Sequence, residues 1–392
     1  MRYDAASARS TSIPWARTPR ADFLHWQAPQ EDQQSFPSGA CWLKHATAYL
    51  LTAAEAVRRA PLFTVANYRD CTPDILKLDL LECQGEPARL TVTLSNSDGA
   101  YTALAPLLPN AQLLFSQGYL GSGLIPTHLL YLEDWTFIRA ADSQEVVLVA
   151  HDRARFLARQ TRVPLTYTNQ TTGFIGADLA IKGGFDTVTT DAAAQFSQTL
   201  PLFQAHPGRT YAEALARLLA VYDGYFLVRA VPGQGPAFAA VDLLRLLQKN
   251  LSDAIVWTYT NEPEYLHLTH SGDRANRLAV VGPQRTPTAQ FEILDWTDLL
   301  TTGQERPALL VEQFALNAAA STLVASQAQA RETRLATQVH LTVSPHPGLE
   351  LFDVIAVNDS VVPAITCRLT ALHRTYYPQE ALYELALIGE GL

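Results

Sequence analysis

The residues that could do chemistry in this chain come in small groups, and each group has to be tested against what its chemistry requires. His267 and His270 lie three positions apart in a segment that reads as a strand or loop, which turns their rings to opposite faces. They read as two surface histidines. His340, His346 and His373 have no carboxylate or cysteine at ligand spacing beside them and read as rim residues of a β unit. Cys41, Cys71, Cys83 and Cys367 are scattered without a C-x-x-C step, so they read as ordinary thiols in a reducing compartment. Gly121-Ser122-Gly123 is a turn without the strand-then-helix context that strains a nucleophilic serine. Ile181-Lys182-Gly183-Gly184 lacks the G-K-[ST] step of a phosphate-binding loop. No catalytic residue, metal site or cofactor is expected.

One arrangement offers more. Asp134 precedes Trp135, with Glu133 beside them, and Asp295 precedes Trp296, with Asp298 close by. Two such carboxylates beside a sugar-stacking ring could act as acid and base in glycoside hydrolysis, provided one is buried enough to raise its pKa. Against this, Trp135 falls on the apolar phase of a strand, which assigns it to the core. The alternatives that survive are a cell-wall polysaccharide hydrolase and a non-catalytic carbohydrate-binding protein that uses exposed tryptophans as stacking platforms.

Composition narrows the classes. The chain has 392 residues, 29 Lys+Arg against 38 Asp+Glu, and a net charge of −9. Charged residues make up 17%, below the roughly 25% of an ordinary soluble domain. Some surface is therefore expected to lie against a partner. An acidic balance without a Lys/Arg block argues against a nucleic-acid groove. No apolar run reaches the length of about 18 residues that a membrane span needs. Met1-Arg2-Tyr3-Asp4-Ala5 lacks a signal-peptide core, so the chain reads as soluble and unprocessed.

The elements that would position these residues follow from periodicity. Residues 1–40 read as an extended arm carrying Trp15 and Trp26, and 46–59 as a short helix ended by Pro61. Leu76, Leu78 and Leu80 alternate with Lys77 and Asp79, and Leu90, Val92 and Leu94 with Thr91, Thr93 and Ser95. This is a hairpin with one apolar face. Strands are expected at 112–117, 128–137 and 145–150, helices at 152–160 and 173–182, and a capping box at Thr210–Glu213 opens a helix to Val221. A strand at 225–230 precedes a helix over 241–251. Strands return at 255–259 and 277–281, and 308–336 carries the longest helical pattern. Period two resumes at Val339, Leu341 and Val343 and continues through Leu387.

The fold expected is mainly β with an α/β insertion: two small antiparallel β-barrel domains plus a mixed α/β domain. The boundaries are an N-terminal arm and short helix (1–74), a first β-barrel (75–160), an inserted α/β domain (161–253), return strands to the first body (254–285), and a helix with the second β-barrel (286–392).

The ordered pattern resembles a known family. Residues 89–101, with Asn96, Asp98 and Gly99 forming an N-x-D-G turn after a strand, look like the start of the tail (baseplate) hub proteins of tailed bacteriophages, a family related to the hub portion of contractile injection spikes. Residues 130–137, closing on Asp134-Trp135, are similar to that family's strand with an acidic-aromatic step. Residues 146–157, with Asp152 ahead of a helix, resemble its next step. Residues 276–282, closing on Gly282, look like its return strand, and 347–355, with Asp353-Val354, like the opening of its second barrel. Asn96, Asp98, Gly99, Trp135, Asp152, Gly282 and Asp353 are the turn and core residues this assigns.

The resemblance implies a structural virion protein and not an enzyme. It would be a homotrimeric ring whose barrels present pseudo-sixfold symmetry to the tail tube or distal tail protein. The threefold side would receive a spike or tip protein, with a tape-measure protein as a further neighbour. DNA would pass the lumen without specific binding, and a negative wall is compatible with that passage.

Overall fold

A computed structural model describes residues 46–51 and 68–392, apart from 106–110, 120–122, 142, 222, 233–239, 250–252, 261–262, 273, 283–290, 298–302, 313–314, 316–317, 344–345, 347 and 381. The arm expected over 1–40, Cys41, the Gly121-Ser122 turn and Asp298 lie outside the described residues.

The first unit is built by alternation. Strands β1 (Ala46–Leu51), β2 (Tyr68–Asp70), β3 (Ile75–Cys83) and β4 (Arg89–Ser95) precede a short helix α1 (Ala100–Leu104), after which come β5 (Gln112–Tyr119), β6 (Gly123–Arg139) and β7 (Gln144–Asp152). They pair antiparallel in the order β3-β4-β7-β6-β5-β1-β2. Leu78 and Leu80, Leu90, Val92 and Leu94, and Val146 and Leu148 share one core with Phe115 and Tyr101. Period two in the sequence thus becomes one buried face of the sheet.

A 3-10 turn over Arg153–Ala158 leads into the mixed unit. It comprises β8 (Leu165–Thr171), α2 (Thr172–Gly183), β9 (Thr187–Thr190), β10 (Thr199–Ala205), α3 (Tyr211–Ala220), β11 (Gly224–Pro232) and β12 (Ala240–Gln248). β12 lies between β11, antiparallel, and β9, parallel, while β8 pairs with β10. Both helices press apolar faces onto this body: Ala180, Leu215 and Leu219 meet Val228, Leu244 and Leu246. α2 approaches β12 so closely that a Cβ on Gly176 would stand 2.7 Å from Leu246 Cδ1.

The last part contains β13 (Ile255–Thr260), β14 (Tyr265–His270), β15 (Arg277–Val281), β16 (Phe291–Asp295), β17 (Pro307–Val311), α4 (Ala318–Leu335), β18 (Thr337–Val343), β19 (Val354–Asn358), β20 (Ile365–Tyr377) and β21 (Leu382–Gly391). The order β14-β18-β21-β20 continues directly into β3, with Ala371 to Tyr376 of β20 opposite Cys83 to Leu78. The first and last units therefore form one 13-stranded sheet, and among the described residues no pairing joins its end strands β14 and β2.

Several expectations are corrected. Residues 46–51 form β1 and not the start of a helix, because β5 offers a six-residue antiparallel ladder that outweighs helix propensity; 52–59 lie outside the described residues. The helix expected over 241–251 is strand β12. Leucines on both phases imitate a helical period, but Asp242, Leu244 and Leu246 are buried in alternation between two neighbouring strands. The pattern over 308–336 divides into β17 and α4: Leu309 and Val311 are exposed and Leu310 packs inward, a period of two. The helix expected over 152–160 is only the 3-10 turn. His346 is buried, its ring 4.3 Å from that of Trp257, and is no rim residue. Within 254–285, β13 and β14 pair with β19 and β18, and β15 with β16 and β17.

The capping box is formed: the Thr210 hydroxyl accepts the Glu213 amide at 3.0 Å, and the Glu213 carboxylate accepts the Thr210 amide at 3.2 Å. Thr210→Ala should lower stability by about 1 kcal/mol, read as a shift in the urea midpoint without a change in slope.

Candidate functional site

The residues matched to the tail-protein pattern are spread over the fold and do not converge. Asn96 is buried in the turn after β4, where its Oδ1 accepts the Tyr101 amide at 3.0 Å and its Nδ2 donates to Thr102 at 2.9 Å. Asp98 accepts the Ala100 amide, and Gly99 has φ 70°, a left-handed value that suits glycine at this turn. Asp152 caps the 3-10 turn by accepting the Ala154 amide at 2.9 Å. Asp353 accepts the Glu350 amide at 2.8 Å and closes the turn before β19. Gly282 is buried immediately after β15. Trp135 departs from expectation: it is 36% exposed and not in the core. The cause is a register shift between Leu132 and Asp134, beyond which β6 outruns β5.

The hydrolase arrangement does not assemble in the form its chemistry needs. Glu133 is taken by His151 at 3.1 Å and by Arg155. Trp296 is buried, so its ring offers no stacking face. Among the described residues no group of three or more His, Cys, Asp or Glu could hold a metal ion, and no helix is long and apolar enough to cross a membrane.

What the fold does bring together is a buried ion cluster. Glu82 of β3 faces Arg229 of β11, Nη1 to Oε1 2.7 Å, and Arg374 of β20 on its other oxygen. Arg374 also donates to the Leu349 carbonyl at 2.6 Å, and Arg229 to Glu350 at 3.3 Å. His128 of β6 stands 2.8 Å from Arg229 Nη1. Burial pushes the Glu82 carboxyl up, but Arg229 and Arg374 outweigh it and hold it well below the usual carboxylate value. Burial holds His128 below the usual imidazole value despite Glu82, so its Nε2 accepts from Arg229 while Nδ1 donates to Thr127 at 3.2 Å. The cluster draws on the first unit, the mixed unit and the last unit at once.

Two further clusters tie the same parts. Asp242 of β12 accepts from Tyr131 of β6 at 2.6 Å and faces Arg153, which also reaches Asp186. Lys249 donates to Glu390 of β21 at 2.7 Å, and Arg334 of α4 bridges Glu390 and Asp223. A cavity of about 20 Å³, room for about one water molecule, separates Glu82, Asp152 and Arg229. These charges are paired and enclosed; the arrangement positions units.

Sequence reading missed this cluster, although a signal was present. Glu82 occupies the same phase as Leu78 and Leu80, Arg374 that of Leu372 and Tyr376, and Asp242 that of Leu244 and Leu246. A charge in the apolar phase of a strand marks a buried partner.

No protein-family model matches the chain, and no curated protein matches it in sequence. Among solved structures, the tail protein from Neisseria meningitidis MC58 superposes with a TM-score of 0.65 at 12% identity, covering 88% of this chain and 96% of that one. The 43 kDa tail protein of prophage MuSo2 from Shewanella oneidensis gives 0.63 at 12%, covering 88% and 98%. An Escherichia coli component of the type VI secretion system, described as structurally similar to T4 bacteriophage tail proteins, gives 0.55 at 13%, covering 81% and 74%. The chain thus has the fold of phage and prophage tail proteins, a mainly β architecture that a type VI secretion component shares.

Glu82→Gln removes the anion between Arg374 and Arg229, leaving Arg229 only Glu350, and should cost about 3–5 kcal/mol; the double variant with Arg374→Met should recover part of that loss in a denaturation cycle. Burial pushes Asp152 up to about 8 from an ordinary 3.8. The folded state therefore holds that proton more tightly, and its stability falls as pH rises from about 3.8 towards 8. Asp152→Asn keeps an acceptor for the Ala154 amide, so it should melt higher than the parent at pH 8 by about 2 kcal/mol or more, with the difference vanishing near pH 4.

Proposed function

We propose that this chain is a structural, non-enzymatic component of a virion tail, a hub that assembles as a homotrimeric ring. The single observation that carries the reading is the tail-protein fold, matched over 88% of the chain and almost the full length of two tail proteins. In this reading the two strand-rich units act as barrel-like adaptors, so that three copies offer six of them to the tail tube or distal tail protein. The threefold side receives a spike or tip protein, and a tape-measure protein contacts the hub while DNA passes the lumen without specific binding. A complex of a type VI spike protein among the structural relatives supports a spike-facing side.

The surface supports assembly as well. β5 pairs with β6 only as far as Tyr131, so the end of β6 has β7 on one side and, among the described residues, no strand on the other. Trp135, Phe137 and Ile138 are exposed there. β17 is the outer strand of its sheet, with Leu309 66% and Val311 68% exposed. Unpaired strand edges with exposed apolar side chains are aggregation hazards in a lone monomer, and covering them in a closed ring removes the hazard. The low charge fraction agrees, since interface cores are depleted of Lys, Glu and Asp.

Light scattering paired with negative-stain images of the purified chain tests the reading. The expected species has a central pore and a mass of about 129 kDa, three times the 43.0 kDa chain. A compact monomer at every concentration, persisting with tube and spike proteins added, would overturn it.

A further inference from the structure

His267 and His270 turn to opposite faces of β14, as their spacing requires, and the fold gives each a different neighbour. His270 Nδ1 is 3.0 Å from the Thr337 hydroxyl. His267 stands directly opposite His340 of β18, in a ladder that runs without a break from Tyr265 and Thr342 to His270 and Thr337. Residues opposite one another in an antiparallel pair project from the same face of the sheet. Their ring centres are 6.0 Å apart, with the planes inclined at 39°.

Neither ring is otherwise taken up. His267 Nε2 has one long contact, 3.5 Å to the Thr269 hydroxyl, and among the described residues no carboxylate pairs with either imidazole. Three other histidines contrast with this: His128 is 3.3 Å from Glu82, His151 3.1 Å from Glu133 and His373 3.5 Å from Asp79. His267 is exposed and His340 half-buried, so solvent reaches the pair.

Two adjacent imidazoles select a particular class of ion. Imidazole nitrogen suits zinc, copper and nickel, whereas calcium and magnesium take oxygen ligands. Two imidazoles on one zinc, each nitrogen about 2.0–2.1 Å from it, have ring centres about 5 Å apart at a tetrahedral angle. A small rotation of either side chain closes the difference from 6.0 Å. The backbone need not move, because β18 is paired on both edges, with β14 and with β21.

We propose that His267 and His340 form a two-imidazole site for a divalent transition metal such as zinc, with water in the remaining coordination positions. Two protein ligands leave the ion exchangeable, unlike the four of a closed structural site. The consequence falls on the end of the sheet. Among the described residues β14 pairs with β18 alone, and an ion held by both strands favours the folded ladder over the unfolded chain, so it fastens the terminal strand. The proposal goes beyond the ring reading and does not depend on it.

The test takes the untagged full chain, stripped of metal with a chelator, and titrates zinc chloride into it calorimetrically, with magnesium chloride and calcium chloride as comparison ions. The expected result is one zinc per chain, no uptake of the comparison ions, and slower amide exchange along β14 when zinc is present. His267→Gln and His340→Gln should each abolish both effects and leave the circular dichroism of the chain unchanged. His270→Gln and His373→Gln should leave both effects intact. Because His267 is exposed on the terminal strand, its variant decides the question even if His340→Gln disturbs the ladder. The proposal is overturned if zinc does not bind, if uptake or the slowing along β14 survives His267→Gln, or if His270→Gln abolishes them as completely. A ring that forms from a chain indifferent to zinc would sink this inference and leave the hub reading standing; a zinc-binding chain that never forms a ring would do the reverse.

Discussion

Glu82 places a carboxylate inside the molecule, and the fold around it is arranged to keep it charged. Desolvating a carboxylate costs several kcal/mol, so the anion persists there only with cations beside it. Those cations come from far along the chain: Arg229 lies on the mixed unit and Arg374 on β20. Neither unit can shift against the first without stranding a buried charge. The cluster thus acts as a latch between three parts, adding direction to their apolar contacts, which by themselves permit sliding.

The latch explains why the strand-rich units are continuous. β20 must lie beside β3 to bring Arg374 to Glu82, and once beside it the two strands complete a ladder from Ala371 to Tyr376. Pairing and charge specify the same register, because a slip of one residue would turn Arg374 to the opposite face. The Lys249–Glu390 and Tyr131–Asp242 contacts repeat the device at two other seams.

How much of this could be read from the sequence differs by element. The hairpin of β3 and β4 was legible because Leu78, Leu80, Leu90 and Val92 alternate strictly with polar residues, and α3 because its capping box is local. β12 was not, since a strand covered on both edges and packed against a helix carries leucines on both phases and imitates a helix. Residues 46–51 pair with β5 across more than sixty positions, and no local signal reports a long-range ladder. Trp135 was assigned inward by phase, but a register shift at Glu133 changes the phase of everything after it. The Asn96, Asp98 and Gly99 turn could be located from residue types alone, because an Asx acceptor and a left-handed glycine do their work within five residues. The ion cluster left only a faint trace: single charges in apolar phases, whose partners no spacing rule identifies.

The same logic separates the surfaces that were built to be covered from those that are merely exposed. Scattered apolar residues at a surface are ordinary. Trp135, Phe137 and Ile138 are not scattered: they sit on one overhanging strand beside whose free edge no described strand lies. Leu309 and Val311 share one face of an outer strand. Among the described residues, backbone and side chains are both open at these places, and a strand laid along either edge would satisfy both at once, since main-chain pairing and apolar burial are supplied by the same strand.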